Sequence, residues 1–185
     1  MSRILLHTCC GPCTIHPLDS LRSQGWTVFG FFYNPNIQPY TEFRRRLEAL
    51  QYLAEQEELS LIVRPDYDLE EFLRQVVFRE GSRCLYCYST RLEAAARTAK
   101  KSRFDAFTTT LLYSKRQKHE WIRSIAEEAS RRYGIPFHYE DFRVGWRKGQ
   151  EEAKARGLYR QQYCGCIYSE ADRFRPAGTG KKPTS

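Results

Sequence analysis

A chain of 185 residues with 41% hydrophobic side chains can bury one core of ordinary size and is too short for two full-sized domains. Aromatic residues at 14% beside 28% charged residues exclude a disordered chain, and no apolar run approaches the roughly 20 residues that span a bilayer. The net charge of +8 is compatible with a polyanionic partner, but solubility alone explains such a charge equally well. In chain order, Arg3–Thr8 predicts a short apolar strand, followed by a Gly-Pro turn that carries cysteines. Thr14–Gln24 reads as a helix whose first turn is restricted by Pro17. Thr27–Tyr33 is β-branched and aromatic, a buried strand, and Asn34–Pro39 is a loop. A long helix runs from Thr41, its cap, through Glu58, with Phe43, Leu47, Leu50 and Leu53 at helical spacing. Leu59–Val63 is a third strand and Asp68–Val77 a helix. Beyond a loop with Gly81 come the helix Leu85–Lys101, the Thr-rich strand Phe104–Leu112 and the polar loop Ser114–Lys118. His119–Tyr133 is a helix stopped by Gly134, Ile135–Tyr139 a short strand, and Trp146–Arg156 a helix stopped by Gly157.

This alternation predicts a Rossmann-like three-layer α/β/α domain over residues 1–175 with a mostly parallel sheet, then a flexible Gly/Pro/Lys tail over 176–185. In such sheets the reactive crevice lies at the carboxyl ends of the strands, where Cys9 and Cys10 follow the first one. The N-terminal apolar stretch, Ile4-Leu5-Leu6, is far too short for a signal peptide, so a cytoplasmic protein with no membrane partner is expected.

Seven cysteines in a reducing compartment point to metal binding or redox catalysis rather than to structural disulfides. They fall into three groups: Cys9-Cys10-Gly-Pro-Cys13, Cys84-Leu-Tyr-Cys87 and Cys164-Gly-Cys166. A C-x-x-C spacing places two sulfurs on one turn, able to share an ion or a cluster, and two such pairs make a strong metal signal. A closed zinc site of Cys10, Cys13, Cys84 and Cys87 is one reading. Its halves are about 70 residues apart, however, against roughly 15–20 in zinc ribbons, and three thiols stay unexplained. Iron–sulfur ligation by thiolates from separate loops explains more. The C-x-C pair forms only a strained disulfide, and strained disulfides are the redox-active ones. Gly165 between the two relieves part of that strain. Metal binding by Cys164 and Cys166 is the alternative.

The strings HTCCGPC (7–13), FFYNPNIQPYTEFRRR (31–46), CLYCYSTRL (84–92), TTLLYSKRQKHE (109–120), DFRVGWRKG (141–149) and GLYRQQYCGCIYSE (157–170) together closely resemble one family. It is the cobalamin-independent epoxyqueuosine reductase family, the QueH type, and the resemblance runs from about Ile4 to Phe174. The resemblance implies reduction of the epoxide of epoxyqueuosine, in the anticodon of tRNA, to the alkene of queuosine without cobalamin. It implies a 4Fe-4S cluster on Cys9, Cys10, Cys84 and Cys87, and a redox-active pair in Cys164 and Cys166. Cys13 either holds an accessory mononuclear iron beside the cluster or is a spare thiol. The electron donor would be a reductase, a ferredoxin or a flavodoxin. Candidate acids for the departing oxygen are His119, Tyr139 and Asp141, each also suited to a structural role.

The wobble nucleoside has to leave its stack to reach a metal centre, and single-stranded loops are held by cationic tracks with aromatic platforms. Lys115, Arg116 and Lys118, in a loop at a strand's carboxyl end, are the foremost phosphate contacts, with Arg147 in the basic group Arg143, Trp146, Arg147, Lys148. Arg44, Arg45 and Arg46 point in different directions on a helix, so at most two share a face. Tyr33, Tyr113 and Trp146 are either base-stacking platforms or core. A tRNA thiolation enzyme would need a Ser-Gly-Gly-x-Asp-Ser loop after the first strand, where this chain has Thr8-Cys9-Cys10-Gly11-Pro12-Cys13. The competing reading from another class is a zinc-stabilised nucleic-acid-binding module without catalysis.

Overall fold

Ile4, Leu5 and Leu6 of strand β1 (Arg3–Thr8) are wholly buried, the pattern of a strand covered by helices on both faces. The computed structural model describes residues 2–176; all of the expected tail except Pro176 lies outside the described residues. β1 pairs in parallel with β2 (Thr27–Phe32), from Arg3 opposite Thr27 to Thr8 opposite Phe32. On its other edge it pairs in parallel with β4 (Ala106–Thr109), from Ile4 opposite Ala106. β3 (Leu61–Val63) extends the sheet beyond β2, giving four parallel strands in the order β3-β2-β1-β4. The sheet is therefore all-parallel, and the α/β architecture expected from the alternation is present.

Helices α1 (Gly11–Ser23), α2 (Tyr40–Gln56) and α6 (Trp146–Ala155) pack together, as do α4 (Arg83–Lys101) and α5 (His119–Tyr133). Two shorter helices, α3 (Leu69–Val76) and α7 (Ile167–Phe174), lie before α4 and after the last cysteines. Among the described residues no helix is long and apolar enough to cross a membrane.

Several boundaries differ from expectation for local reasons. α1 starts at Gly11, not Thr14, because Pro12 fits the first turn, where its missing N–H is not needed; Pro17 stays inside the helix. Pro39, not Thr41, caps α2. β4 stops at Thr109, whose side chain accepts from the Leu111 N–H and turns the chain into a 3-10 segment, Thr110–Tyr113. The expected strand Ile135–Tyr139 is only a bridge between Phe107 and Phe137: Phe107 N–H donates to the Pro136 carbonyl and His138 N–H to Phe107. Pro136 has no N–H with which to continue the ladder. α7 was not expected at all; it is eight residues long and follows a polar run.

Strand order reverses between β1 and β4: β2 and β3 lie on one side of β1, and β4 on the other. The crevice that opens at the carboxyl ends of these two strands is the switch point at which such folds place their ligands. Cys9 follows β1 there, and Thr110 follows β4.

Candidate functional site

Cys9, Cys10 and Cys13 occupy the turn from β1 into α1, and their sulfurs all lie within 4.8 Å of one another. Gly11 allows this turn: a Cβ there would sit 2.7 Å from the Ala49 carbonyl oxygen of α2, so the start of α1 rests directly on α2 backbone. The first turn of α1 brings its partly positive end to the thiols of Cys10 and Cys13.

Neighbouring side chains complete the group. Thr110 Oγ1 donates to Cys9 Sγ at 3.4 Å and itself accepts from the Cys9 N–H at 3.2 Å. Gln161 spans the other two thiols: its Nε2 donates to Cys13 Sγ at 3.1 Å, and its Oε1 accepts from Cys10 at 3.3 Å. Hydrogen bonds from Cys10 and Cys13 hold the Cys9 thiol well below the usual thiol range. Burial pushes Cys10 well up, and hydrogen bonds to Cys10 and Cys9 together with burial do the same to Cys13. The triad thus releases one proton easily and keeps the other two.

Its donor set fits a metal. Tetrahedral coordination with metal–sulfur bonds of about 2.3 Å sets neighbouring sulfurs about 3.8 Å apart. The sulfurs of Cys9 and Cys10 are 3.8 Å apart. A thiophilic cation would also relieve the crowding that resists further ionisation.

Of the remaining cysteines, Cys164 lines the cavity beside the triad. Cys84 and Cys87 stand in the first turns of α4 and do not join the 4.8 Å group. Cys87 is buried, with its thiol pushed up by burial to about 12, and its sulfur accepts from Arg91 Nη2 at 3.1 Å. Cys164 faces the crevice and accepts from Gln117 Nε2 at 3.2 Å, whereas Cys166 is buried against Phe72 and Val76. Arg46 holds the segment between them in place. Its Nη1 donates to the Cys164 carbonyl at 2.8 Å and its Nη2 to the Tyr163 carbonyl at 2.9 Å, while Nε binds Glu42 at 2.6 Å. Gly165 has φ +148°, and a Cβ there would stand 3.2 Å from Asn36 Nδ2 and 3.4 Å from Arg46 Nη1. Only glycine suits that backbone in that space. All seven cysteines carry free thiols.

A cavity of about 290 Å³ lies between the first and the last of these groups, near the lower end of the size range of ligand sites. Cys9, Cys13 and Cys164 open onto it, with Arg46, Arg91, Arg116, Arg160 and Arg173 and, among the described residues, no carboxylate in its wall. Of the residues expected to bind RNA, Arg116 lines this cavity. Lys115 is exposed on the same loop, and Lys118 lies 3.9 Å above the Trp121 ring. Arg147 is on the solvent side of α6, paired with Glu151 at 3.0 Å. Trp146 lines the cavity; Tyr113 is wholly buried, and Tyr33 stacks on Phe31. Arg44 pairs with Glu48 and Arg45 lies over Tyr159, while Arg46 turns inward, so the three point apart as expected.

None of the three expected acids lines the cavity. His119 Nε2 is 3.1 Å from the Tyr139 hydroxyl, and hydrogen bonds from Arg143 hold Asp141 down to about 2, so it is a carboxylate at neutral pH. Gln161, Arg160 and Arg173 were missed. Arg160 and Gln161 lie in the string GLYRQQYCGCIYSE, whose resemblance was legible but whose individual polar residues carry no local signal of their roles, and Arg173 lies on the unexpected α7.

Thiols gathered at the switch point of a parallel sheet, beside an arginine-lined cavity, define the class: a thiolate-centred α/β protein with a cationic crevice. Among solved structures, the fold is similar to that of a predicted subunit of tRNA methyltransferase from Methanocaldococcus jannaschii, with a TM-score of 0.57 over 83% of this chain and 75% of that one. At 12% identity that likeness concerns the fold alone. The family model described as Epoxyqueuosine reductase QueH matches residues 4–172. The Dehalococcoides mccartyi protein of that name is 37% identical over 93% of this chain and 94% of its own length. The Thermotoga maritima one is 36% identical over 94% and 93%. The chain belongs to the epoxyqueuosine reductase QueH family of oxidoreductases.

Proposed function

We propose that this protein, as one catalytic domain in the cytoplasm, reduces the epoxide of epoxyqueuosine in the tRNA anticodon to the alkene of queuosine. The observation that carries the reading is a single crevice bordered both by thiols from distant parts of the chain and by arginines, with no carboxylate among the described residues of its wall. Electron chemistry and a polyanionic substrate require those two properties together.

Loss of the epoxide oxygen as water consumes two electrons and two protons. Oxidation of the Cys164 and Cys166 thiols to a disulfide releases two of each, so the pair balances the reaction. The Cys164 thiol is exposed and faces the cavity. Arg46 and Gly165 hold that sulfur in place through the backbone. A 4Fe-4S cluster, when bound, supplies electrons one at a time from a reductase, ferredoxin or flavodoxin. Cys9, Cys10, Cys84 and Cys87 are its proposed ligands. Cys13, within reach of both Cys9 and Cys10, is the thiol for an accessory mononuclear iron.

The RNA side of the reading rests on charge and size. The cavity has room for one extruded nucleotide and not for a duplex. Arg116, Arg160 and Arg173 take phosphates at its wall, with Lys115 and Lys118 extending the track along the loop.

The test is anaerobic reconstitution with iron and sulfide, then incubation with epoxyqueuosine tRNA and a reductant. Queuosine is expected to form, and Cys84→Ala or Cys166→Ala to abolish it. Full turnover by Cys166→Ala with the natural electron donor overturns the dithiol role. A colourless protein that holds zinc alone favours the nucleic-acid-binding module instead.

A further inference from the structure

The fold buries two arginines almost completely and treats them differently. Arg46 is 1% exposed and has the Glu42 carboxylate at 2.6 Å. Arg91 is 2% exposed, and among the described residues no carboxylate forms an ion pair with it. Its donors meet neutral acceptors and one sulfur: Nε reaches the Cys87 carbonyl at 3.1 Å, Nη1 the Asn34 Oδ1 at 3.3 Å, and Nη2 the Cys87 Sγ at 3.1 Å. Asn34 is itself oriented, because its Nδ2 donates to the Thr8 carbonyl at 2.9 Å and leaves Oδ1 for the guanidinium. The cation is therefore aimed by the end of β1 and by α4 together.

Neutral acceptors satisfy the hydrogen bonds of a guanidinium but do not cancel its charge. A buried cation without a counter-charge is among the least favourable arrangements in a protein interior. Arginine does not escape by losing its proton. The ionisable groups that act on this one most strongly are thiols, those of Cys87, Cys164 and Cys9. Sulfur is thus where the missing negative charge belongs.

We infer that Arg91 is the counter-charge of an anionic sulfur-bound metal centre, a positioning residue that holds Cys87 and sets the reduction potential of the centre. The inference rests on the cluster reading above. Thiolates bound to iron carry net negative charge, and each added electron increases it. A fixed cation beside them favours the reduced form, and its removal moves the potential downward.

The test compares the parent with Arg91→Lys, which keeps the charge without the fork, and Arg91→Gln, which keeps hydrogen bonding without the charge. Each is reconstituted anaerobically with iron and sulfide. Iron and sulfide per chain, the midpoint potential from a mediated redox titration followed by electron paramagnetic resonance, and the far-ultraviolet circular dichroism are then measured. The Lys variant is expected to match the parent, and the Gln variant to fold but show a shift to lower potential or lose most of its iron. A folded Gln variant with the parent's iron content and potential overturns the inference. So does a Lys variant impaired as much as the Gln variant, because the requirement would then be the guanidinium shape and not its charge. A Gln variant that fails to fold makes Arg91 structural and also overturns it. A parent that takes up no iron and sulfide overturns the cluster reading itself, a failure distinct from the other three.

Discussion

Replacing Arg46 by methionine removes one half of an ion pair whose side chains are 1% and 6% exposed and leaves Glu42 charged in a dry site. Breaking such a pair from one side destabilises a protein by about 3–5 kcal/mol. For a domain of this size each kcal/mol moves Tm by about 2–4 °C, so Arg46→Met should melt about 6–20 °C below the parent. The carbonyls of Tyr163 and Cys164 lose their donors as well, but those residues are half-buried and exposed, so water replaces much of that bonding. Arg46→Met combined with Glu42→Met removes both charges and leaves the half-buried Tyr159 hydroxyl, which also donates to Glu42, to water. The double variant should recover most of the lost stability. Urea unfolding of the metal-free, reduced protein provides the four corners of the double-mutant cycle. If Arg46→Met lies within about 1 kcal/mol of the parent, or the double variant is as unstable as the singles combined, the pair is not what α2 depends on. Activity separates fold from positioning: the double variant lacks the donors to the Cys164 segment and should stay impaired even when its stability returns.

Gly165→Ala places a Cβ against Asn36 and Arg46 at a φ of +148° and should cost about 1–3 kcal/mol, with a larger proportional loss of turnover because the displaced residue lies between the two thiols. A thermal melt and a queuosine-formation assay both unchanged from the parent would refute a positioning role for Gly165. Arg143 holds Asp141 at about 2 against an ordinary 3.8, so its contribution to stability is present above about pH 4 and lost as pH falls through 2. The pair is more than one-third exposed, which screens the contribution to about 1 kcal/mol or less, and Asp141→Asn should flatten that part of the acid-unfolding curve.

What the sequence revealed follows from how local each signal is. β1 and β2 were legible because a strand buried on both faces is a nearly continuous apolar run, and α5 because its caps and periodicity agree. The start of α1 is less legible, because Pro17 reads as a limit on the first turn, whereas Pro12 sits where a first turn accepts proline. The C-x-x-C pair Cys10/Cys13 was readable from spacing alone, since one helical turn brings its members together. That Cys9 completes a compact triad depends on the backbone of the turn, which spacing does not encode. The role of Gln161 comes from residues far away in sequence, and Arg46 and Arg91 each combine a partner one helical turn away, Glu42 and Cys87, with distant ones, so spacing alone does not distinguish these buried arginines from exposed ones.

The two sides of the crevice are anchored differently. Cys9 extends the central strand of the ladder, whereas the Tyr163–Gly165 segment is held by Arg46, by the Gln38 N–H to the Gly165 carbonyl, and by the Tyr163 hydroxyl to the Gln38 carbonyl. Translation therefore delivers the first three thiols about 150 residues before the wall opposite them. The chamber is complete only once residues 160–165 have docked, because Arg160, Gln161, Gln162, Tyr163 and Cys164 form that wall.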